Sequence, residues 1–150
     1  MAKQIVVTKR GQAETMSVMG AAVRFLCGAD KTDRAWSLME VGLPAHAGPP
    51  PHHHPWDEAY YVVEGEVNFS IDGKERLVKA GDFVYAPAGT LHGFAGASAK
   101  PARMIIFDAP AHTEGFFRDV DREVKGAGDM AKVPAIGERH QIHFRVPKAA

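Results

Sequence analysis

Cysteine is nearly absent from this chain: Cys27 is the only one among 150 residues. No intrachain disulfide can form, so the fold has to be held by its core, and a reducing, cytoplasmic home is expected. An excess of charge of either sign is missing too. Eighteen Lys and Arg balance 18 Asp and Glu, which removes any global electrostatic pull toward nucleic acid or an anionic membrane; neither is expected as a partner. Long apolar runs are also lacking. Lys9, Arg10, Glu14 and Arg24 interrupt the first 30 positions, so neither a secretory signal nor a membrane span is expected. There are no internal repeats and no low-complexity tracts. What is left is a chain of single-domain length, large enough to bury a core.

Histidine is where the composition becomes specific. Pro49 to Glu58 holds His52, His53 and His54 with Asp57 and Glu58, set among Pro49, Pro50, Pro51 and Pro55. Imidazole nitrogens and carboxylate oxygens are the usual ligands of a catalytic first-row metal. Prolines lack an N–H donor and restrict φ, which keeps the segment extended. In an extended chain alternate side chains share a face, so His52 and His54 can point one way and His53 the other.

The rest of the chain reads as short strands. Ile5-Val6-Val7 is a candidate edge strand, followed by a connection from Gly11 to Gly20. Strands are expected at 22–26, 35–41, 58–63, 66–71, 76–79, 82–86, 90–94 and 103–108, with Asp72-Gly73 a strong hairpin signal. Such spacing with almost no helix argues for an all-β sandwich or barrel. Beyond Pro110, Phe116, Phe117, Val120 and Val124 recur at helical spacing, predicting one short helix over about 113–125 with Thr113 as N-cap. The tail at 126–150 shows little periodicity and is expected to be flexible or to lend a strand to a neighbour.

Two spaced blocks then stand out: His52-x-His54-x3-Glu58-x6-Gly65 and Gly81-x5-Pro87-x-Gly89-x2-His92. In order and in spacing they resemble the two signature motifs of the cupin superfamily. The short interval between Gly65 and Gly81 is similar to that of its small single-domain bacterial members, and the Pro110-to-Phe117 segment to that of the quercetin dioxygenase-like branch. The resemblance covers about residues 35–108. It implies a double-stranded β-helix, a jelly-roll barrel with a core over about 22–108, forming one domain. It also implies that His52, His54, Glu58 and His92 bind one divalent first-row transition metal (Fe, Mn, Ni, Cu, Co or Zn). The sequence departs from the pattern twice: His46 stands where a glycine is usual, and Gly96 where an asparagine is frequent.

The resemblance further implies a metal-dependent, dioxygenase-like enzyme acting on a small organic substrate, with Glu58 as metal ligand or general base. A non-redox isomerase, decarboxylase or hydrolase, or a non-catalytic small-molecule binding module, stays open beside it, because one fold hosts many chemistries. Tyr60, Phe94, His46 and Trp56 are candidates for the substrate pocket. Val62, Phe69, Val84, Ile105 and Phe107 are candidate walls of a partly apolar cavity. A homodimer is expected, since an apolar edge such as Ile5-Val6-Val7 needs covering.

Overall fold

The computed structural model describes residues 3–145. The first strands are β1 (Thr15–Val18), β2 (Ala21–Cys27), β3 (Ser37–Leu43) and the two-residue β4 (His52–His53). There follow β5 (Asp57–Glu64), β6 (Glu66–Ile71), β7 (Lys74–Lys79), β8 (Phe83–Ala86), β9 (His92–Gly96) and β10 (Ala102–Ala109). Helix α1 (Thr113–Glu123), a 3-10 turn at Ala127–Lys132, helix α2 (Val133–Arg139) and β11 (His143–Phe144) complete the described chain. The strands form a six-stranded sheet in the order β1-β2-β3-β10-β5-β8 and a five-stranded sheet in the order β11-β4-β9-β6-β7. All named strand pairs are antiparallel. Two such sheets bury one face each against the other, the jelly-roll arrangement expected from the strand pattern.

Strand period decides what faces inward. On β3 Ser37, Met39, Val41 and Leu43 are buried, and on β5 Glu58, Tyr60 and Val62 are. Val67 and Phe69 face them from β6. The β6–β7 hairpin turns at Asp72-Gly73, where both φ values are positive (49° and 79°), as a two-residue primed turn requires. On β10 the inward residues are Met104 and Ile106, so Ile105 and Phe107 lie on the outer face, contrary to the expected cavity wall. This strand is apolar on both sides, and alternation alone carries no sign of which side is which.

Three other expectations change. Ile5-Val6-Val7 forms no strand, and Ile5 is 96% exposed. The sheet edge is taken instead by β1, which turns into β2 through Met19-Gly20, again with two positive φ values, burying Met16 and Val18. Helix α1 is not capped by the Thr113 side chain. Its N-cap position is His112, and the buried Asp108 carboxylate accepts the His112 and Thr113 backbone N–H groups and the Thr113 hydroxyl. The tail is folded as far as it is described: α2 and β11 pack back, and β11 pairs with β4 of the same chain. Phe116, Val120, Val133, Ile136 and Ile142 supply the apolar contact that fixes it. Among the described residues no helix is long and apolar enough to cross a membrane.

Candidate metal centre

β4 and β9 bring the two histidine blocks together. His52 pairs directly with His92 across the strands, and their rings lie 4.4 Å apart between centroids. His54, two residues on, shares the inward face, with its ring 5.6 Å from that of His52 and 5.0 Å from that of His92. All three are buried, whereas His53 is exposed. The turn of the second block is tied to the first, because Gly89 N–H donates to the His54 carbonyl at 2.9 Å. Glu58 reaches the same point from the opposite sheet. Its two oxygens lie 3.1 Å from His54 Nε2 and 3.6 Å from His92 Nε2.

Each ring is held from behind. The Nδ1 atoms of His52, His54 and His92 sit 2.8, 3.1 and 2.8 Å from the backbone carbonyls of Pro50, Trp56 and Thr90. A carbonyl only accepts, so each Nδ1 carries the proton and each Nε2 presents its lone pair to the interior. Donor atoms of the three rings lie within 4.8 Å of one another. Nε2 of His54 and of His92 are buried and make no hydrogen bond. A lone pair facing a carboxylate oxygen at 3.1 Å is repulsive unless a cation lies between them. The donor set therefore fits a metal ion, and back-bonded imidazoles are the usual outer support of such a site.

The electrostatics agree. Burial and the neighbouring His92 push His52 down to about 3, so it stays neutral. Burial alone would raise the Glu58 carboxyl, but in the metal-free chain positive charge on the facing His54 and His92 imidazoles outweighs it and holds Glu58 well below its usual range. The same carboxylate lifts His92 above its ordinary value against the opposing effect of burial. Tyr60 O–H donates to one Glu58 oxygen, and Trp56 Nε1–H lies 3.4 Å from the other. Burial and that adjacent negative charge push the Tyr60 phenol well above 10.0.

The open side of the centre is a cavity of about 30 Å³, small beside the 300–1,000 Å³ typical of pockets for drug-sized ligands. Apart from His52, His54 and Glu58, its lining carries no ionisable side chain. Phe94 and Ile106 contribute from the barrel, and Phe116, Phe117, Ile142 and Phe144 from the C-terminal elements. Those C-terminal residues fill the space over the centre. The strap of α1, α2 and β11 is the roof of the site.

Of the four residues expected to line a substrate pocket, Phe94 lines this cavity. Trp56 is fully buried behind His54, stacked on its ring at 4.2 Å and 8°. Tyr60 is buried and turned to Glu58. His46 is exposed on the connector, away from the cavity. The two departures from the motif pattern meet there: His46 N–H donates to the Gly96 carbonyl at 2.9 Å, and Gly96 N–H to Ala47 at 3.0 Å. A Cβ at Gly96 would stand 2.1 Å from the Pro44 carbonyl oxygen, so only glycine admits the connector. Ile142 and Phe144 had no sequence signal as site residues, because nothing in the tail's period marks an isolated residue that returns to the barrel.

Two facing antiparallel sheets, with inward histidines contributed by both motifs, are the jelly-roll class of fold. Residues 39–108 match the family described as Cupin domain, and the chain carries a cupin domain there. It is 24% identical over 121 residues to quercetin 2,3-dioxygenase of Bacillus subtilis, covering 80% of this chain and 36% of that protein. It is 29% identical over 82 residues to polyketide synthase CurC of Streptomyces cyaneus, covering 54% of this chain and 53% of that protein. The chain thus spans about a third to a half of the length of these curated relatives. In structure it is similar to the polyketide cyclase RemF of Streptomyces resistomycificus, with a TM-score of 0.63 and 20% identity over 71% of this chain and 80% of that one. That likeness concerns the fold.

Proposed function

We propose that this chain is a metal-dependent, dioxygenase-like enzyme acting on a small organic substrate, with His52, His54, Glu58 and His92 holding one divalent first-row transition metal. The observation that carries the reading is the trio of back-bonded imidazoles whose Nε2 lone pairs converge beside a buried carboxylate. When bound, a metal with free coordination positions supplies Lewis acidity and, if redox-active, a route for electrons to dioxygen. The chain supplies the remainder. The histidines fix position, the apolar roof excludes bulk water, and Glu58 holds or takes a proton at its carboxylate while Tyr60 and Trp56 steady it. Similarity to the Bacillus subtilis dioxygenase supports the oxygen chemistry.

Non-redox isomerisation, decarboxylation or hydrolysis at the same centre is the second reading. It is favoured by the similarity to CurC, whose name denotes polyketide synthesis rather than oxygenation. Metal analysis of untagged protein purified without chelators, followed by oxygen uptake with flavonols and 1,3-diketones, separates the two. One tightly held redox metal with substrate-dependent uptake supports the first; zinc with turnover but no uptake supports the second. Glu58→Gln is expected to retain appreciable metal and lose turnover, and full turnover in that variant overturns the base role.

A cytoplasmic homodimer completes the proposal. Half-exposed Tyr61, Phe83 and Tyr85 on the outer face of β5 and β8, together with the bare Ile5, are apolar surface that a second copy would cover. Light scattering on the eluting protein tests it, and a monomeric mass at micromolar concentration overturns it.

A further inference from the structure

β4 also carries a histidine on its outer face, and the strap returns another to meet it. β11 pairs antiparallel with β4 so that His143 stands opposite His53 and Phe144 opposite His52. Period two then sorts the four side chains. Phe144 lies 5.3 Å from the His52 ring and helps roof the cavity. On the other side the His53 and His143 rings lie 5.0 Å apart, tilted by 35°. Both are open to solvent, the His143 side chain being 42% exposed.

The outer pair has the features of a chelate. Two imidazoles bound to one zinc at about 2.0–2.1 Å hold their ring centroids about 5 Å apart. The inner three rings span 4.4 to 5.6 Å, and the outer pair falls inside that range. His143 Nδ1 lies 2.9 and 3.0 Å from the two oxygens of Glu138. That carboxylate can only accept, so Nδ1 carries the proton and Nε2 is left with its lone pair, the carboxylate–histidine arrangement that orients a metal ligand. Among the described residues the His53 ring makes no hydrogen bond and is free to turn.

We infer that His53 and His143 bind a second divalent ion of the Zn²⁺, Cu²⁺ or Ni²⁺ class on the outside of the barrel, with Glu138 orienting His143 and water completing the coordination. This site is separate from the inner centre and does not depend on it. Its ligands sit on the two strands whose pairing closes the strap, so the ion is a clasp. β11 is two residues long, and beside that pairing the adjacent chain is held by Arg145 N–H to the Pro51 carbonyl and Ile142 N–H to the Gly137 carbonyl, both at 2.9 Å. An ion that binds only the paired arrangement stabilises it by mass action. Phe144 is then held over the cavity, and occupancy outside governs access inside.

The test is a Zn²⁺ titration of the untagged, metal-stripped full chain by calorimetry near pH 7.5, with hydrogen exchange read on the peptide covering 141–145. The wild type is expected to show a tight class and a weaker class of one ion each, and the second ion to slow exchange in that peptide. His53→Asn and His143→Asn are expected to abolish the weaker class and the slowing while leaving the tight class unchanged. Glu138→Gln is expected to weaken the second ion about tenfold. His92→Ala is expected to impair the tight class and spare the weaker one, which separates failure of the inner site from failure of the clasp. A wild type with no second class overturns the inference. So does a weaker class unaltered by both asparagine variants, or exchange unchanged by the second ion.

Discussion

The two faces of β4 treat the same side chain in opposite ways. Inside, His52, His54 and His92 are buried, and each is locked by a backbone carbonyl belonging to a residue two positions away. Outside, His53 is solvated, and His143 is held only by Glu138, whose side chain is itself 61% exposed. The carbonyls of Pro50, Trp56 and Thr90 belong to backbone immediately flanking β4, β5 and β9 and have less freedom than a solvated side chain, so the inner rings are preorganised whether or not an ion is present. The outer pair has to lose side-chain freedom to bind and is screened by water, which makes it the weaker site. Residue type and spacing nominate the inner cluster, whereas the outer pair is brought together only by the pairing of β11 with β4. Burial and the stiffness of the orienting group set what each can do.

The largest expected break in this comparison is His92→Ala. It removes one of three converging donors and leaves Glu58 facing His54 without its second partner; affinity for the inner ion is expected to fall more than about 100-fold, beyond the usual cost of losing an orienting group. Competition with a chromophoric chelator reads it directly. If affinity holds within a few-fold, the ligand assignment is wrong.

Acid is the next lever, and it works on the inner cluster of metal-free protein. His52 titrates at about 3 in the folded chain against 6.5 when exposed. From pH 6.5 down to 3 the unfolded chain therefore binds a proton that the folded chain refuses, and stability falls. Glu58, held below 4.5, adds stability above that value that is lost as pH drops through its folded value. His92 works the other way: its raised value adds stability that is fully present below 6.5 and is lost as pH rises through its folded value. The urea midpoint of stripped protein is thus expected to peak near pH 6.5 and decline toward 4. A midpoint that climbs steadily toward pH 4 contradicts the buried neutral His52. Bound metal should leave over the same acid range, as protons compete for the imidazoles.

Phe144→Ala tests the link between the faces. With the roof thinned, removal of the inner metal by excess chelator is expected to accelerate several-fold, with little change in equilibrium affinity, because no ligand is touched. The smallest effect belongs to His53→Asn. With only one equivalent of metal present, so that the outer pair is empty in both proteins, inner affinity is expected to stay within about twofold, since an exposed side chain on the far face contributes little to the interior. A large loss of inner metal in that variant would erase the distinction between the faces.

Much of the barrel was legible because each strand carries its own signal. β6 begins and ends where alternation of Val67, Phe69 and Ile71 placed it, and Asp72-Gly73 turns as a two-residue hairpin of that composition must. β10 showed the limit. Apolar on both sides, it offered no clue that Ile106 rather than Ile105 faces the interior. β1 and Ile5-Val6-Val7 were exchanged for a related reason: both are short, and which one pairs depends on the Met19-Gly20 turn, not on hydrophobicity.

A strand's period of two, a local property of the backbone, by itself set His52 and His54 on one face and His53 on the other; that Glu58 and His92 join them was implied by the resemblance of the two motifs to those of the cupins. The role of the other aromatic residues was decided only by the tertiary structure. Trp56 became a stacking and donor partner, Tyr60 a support for Glu58, and His46 a loop residue, since each depends on what lies opposite after the sheets close. The roof was wholly a tertiary matter. Ile142 and Phe144 reach the cavity through β11, a strand of two residues whose pairing with β4 exists only once the chain between them has folded. No local period encodes a contact made across some ninety positions of sequence.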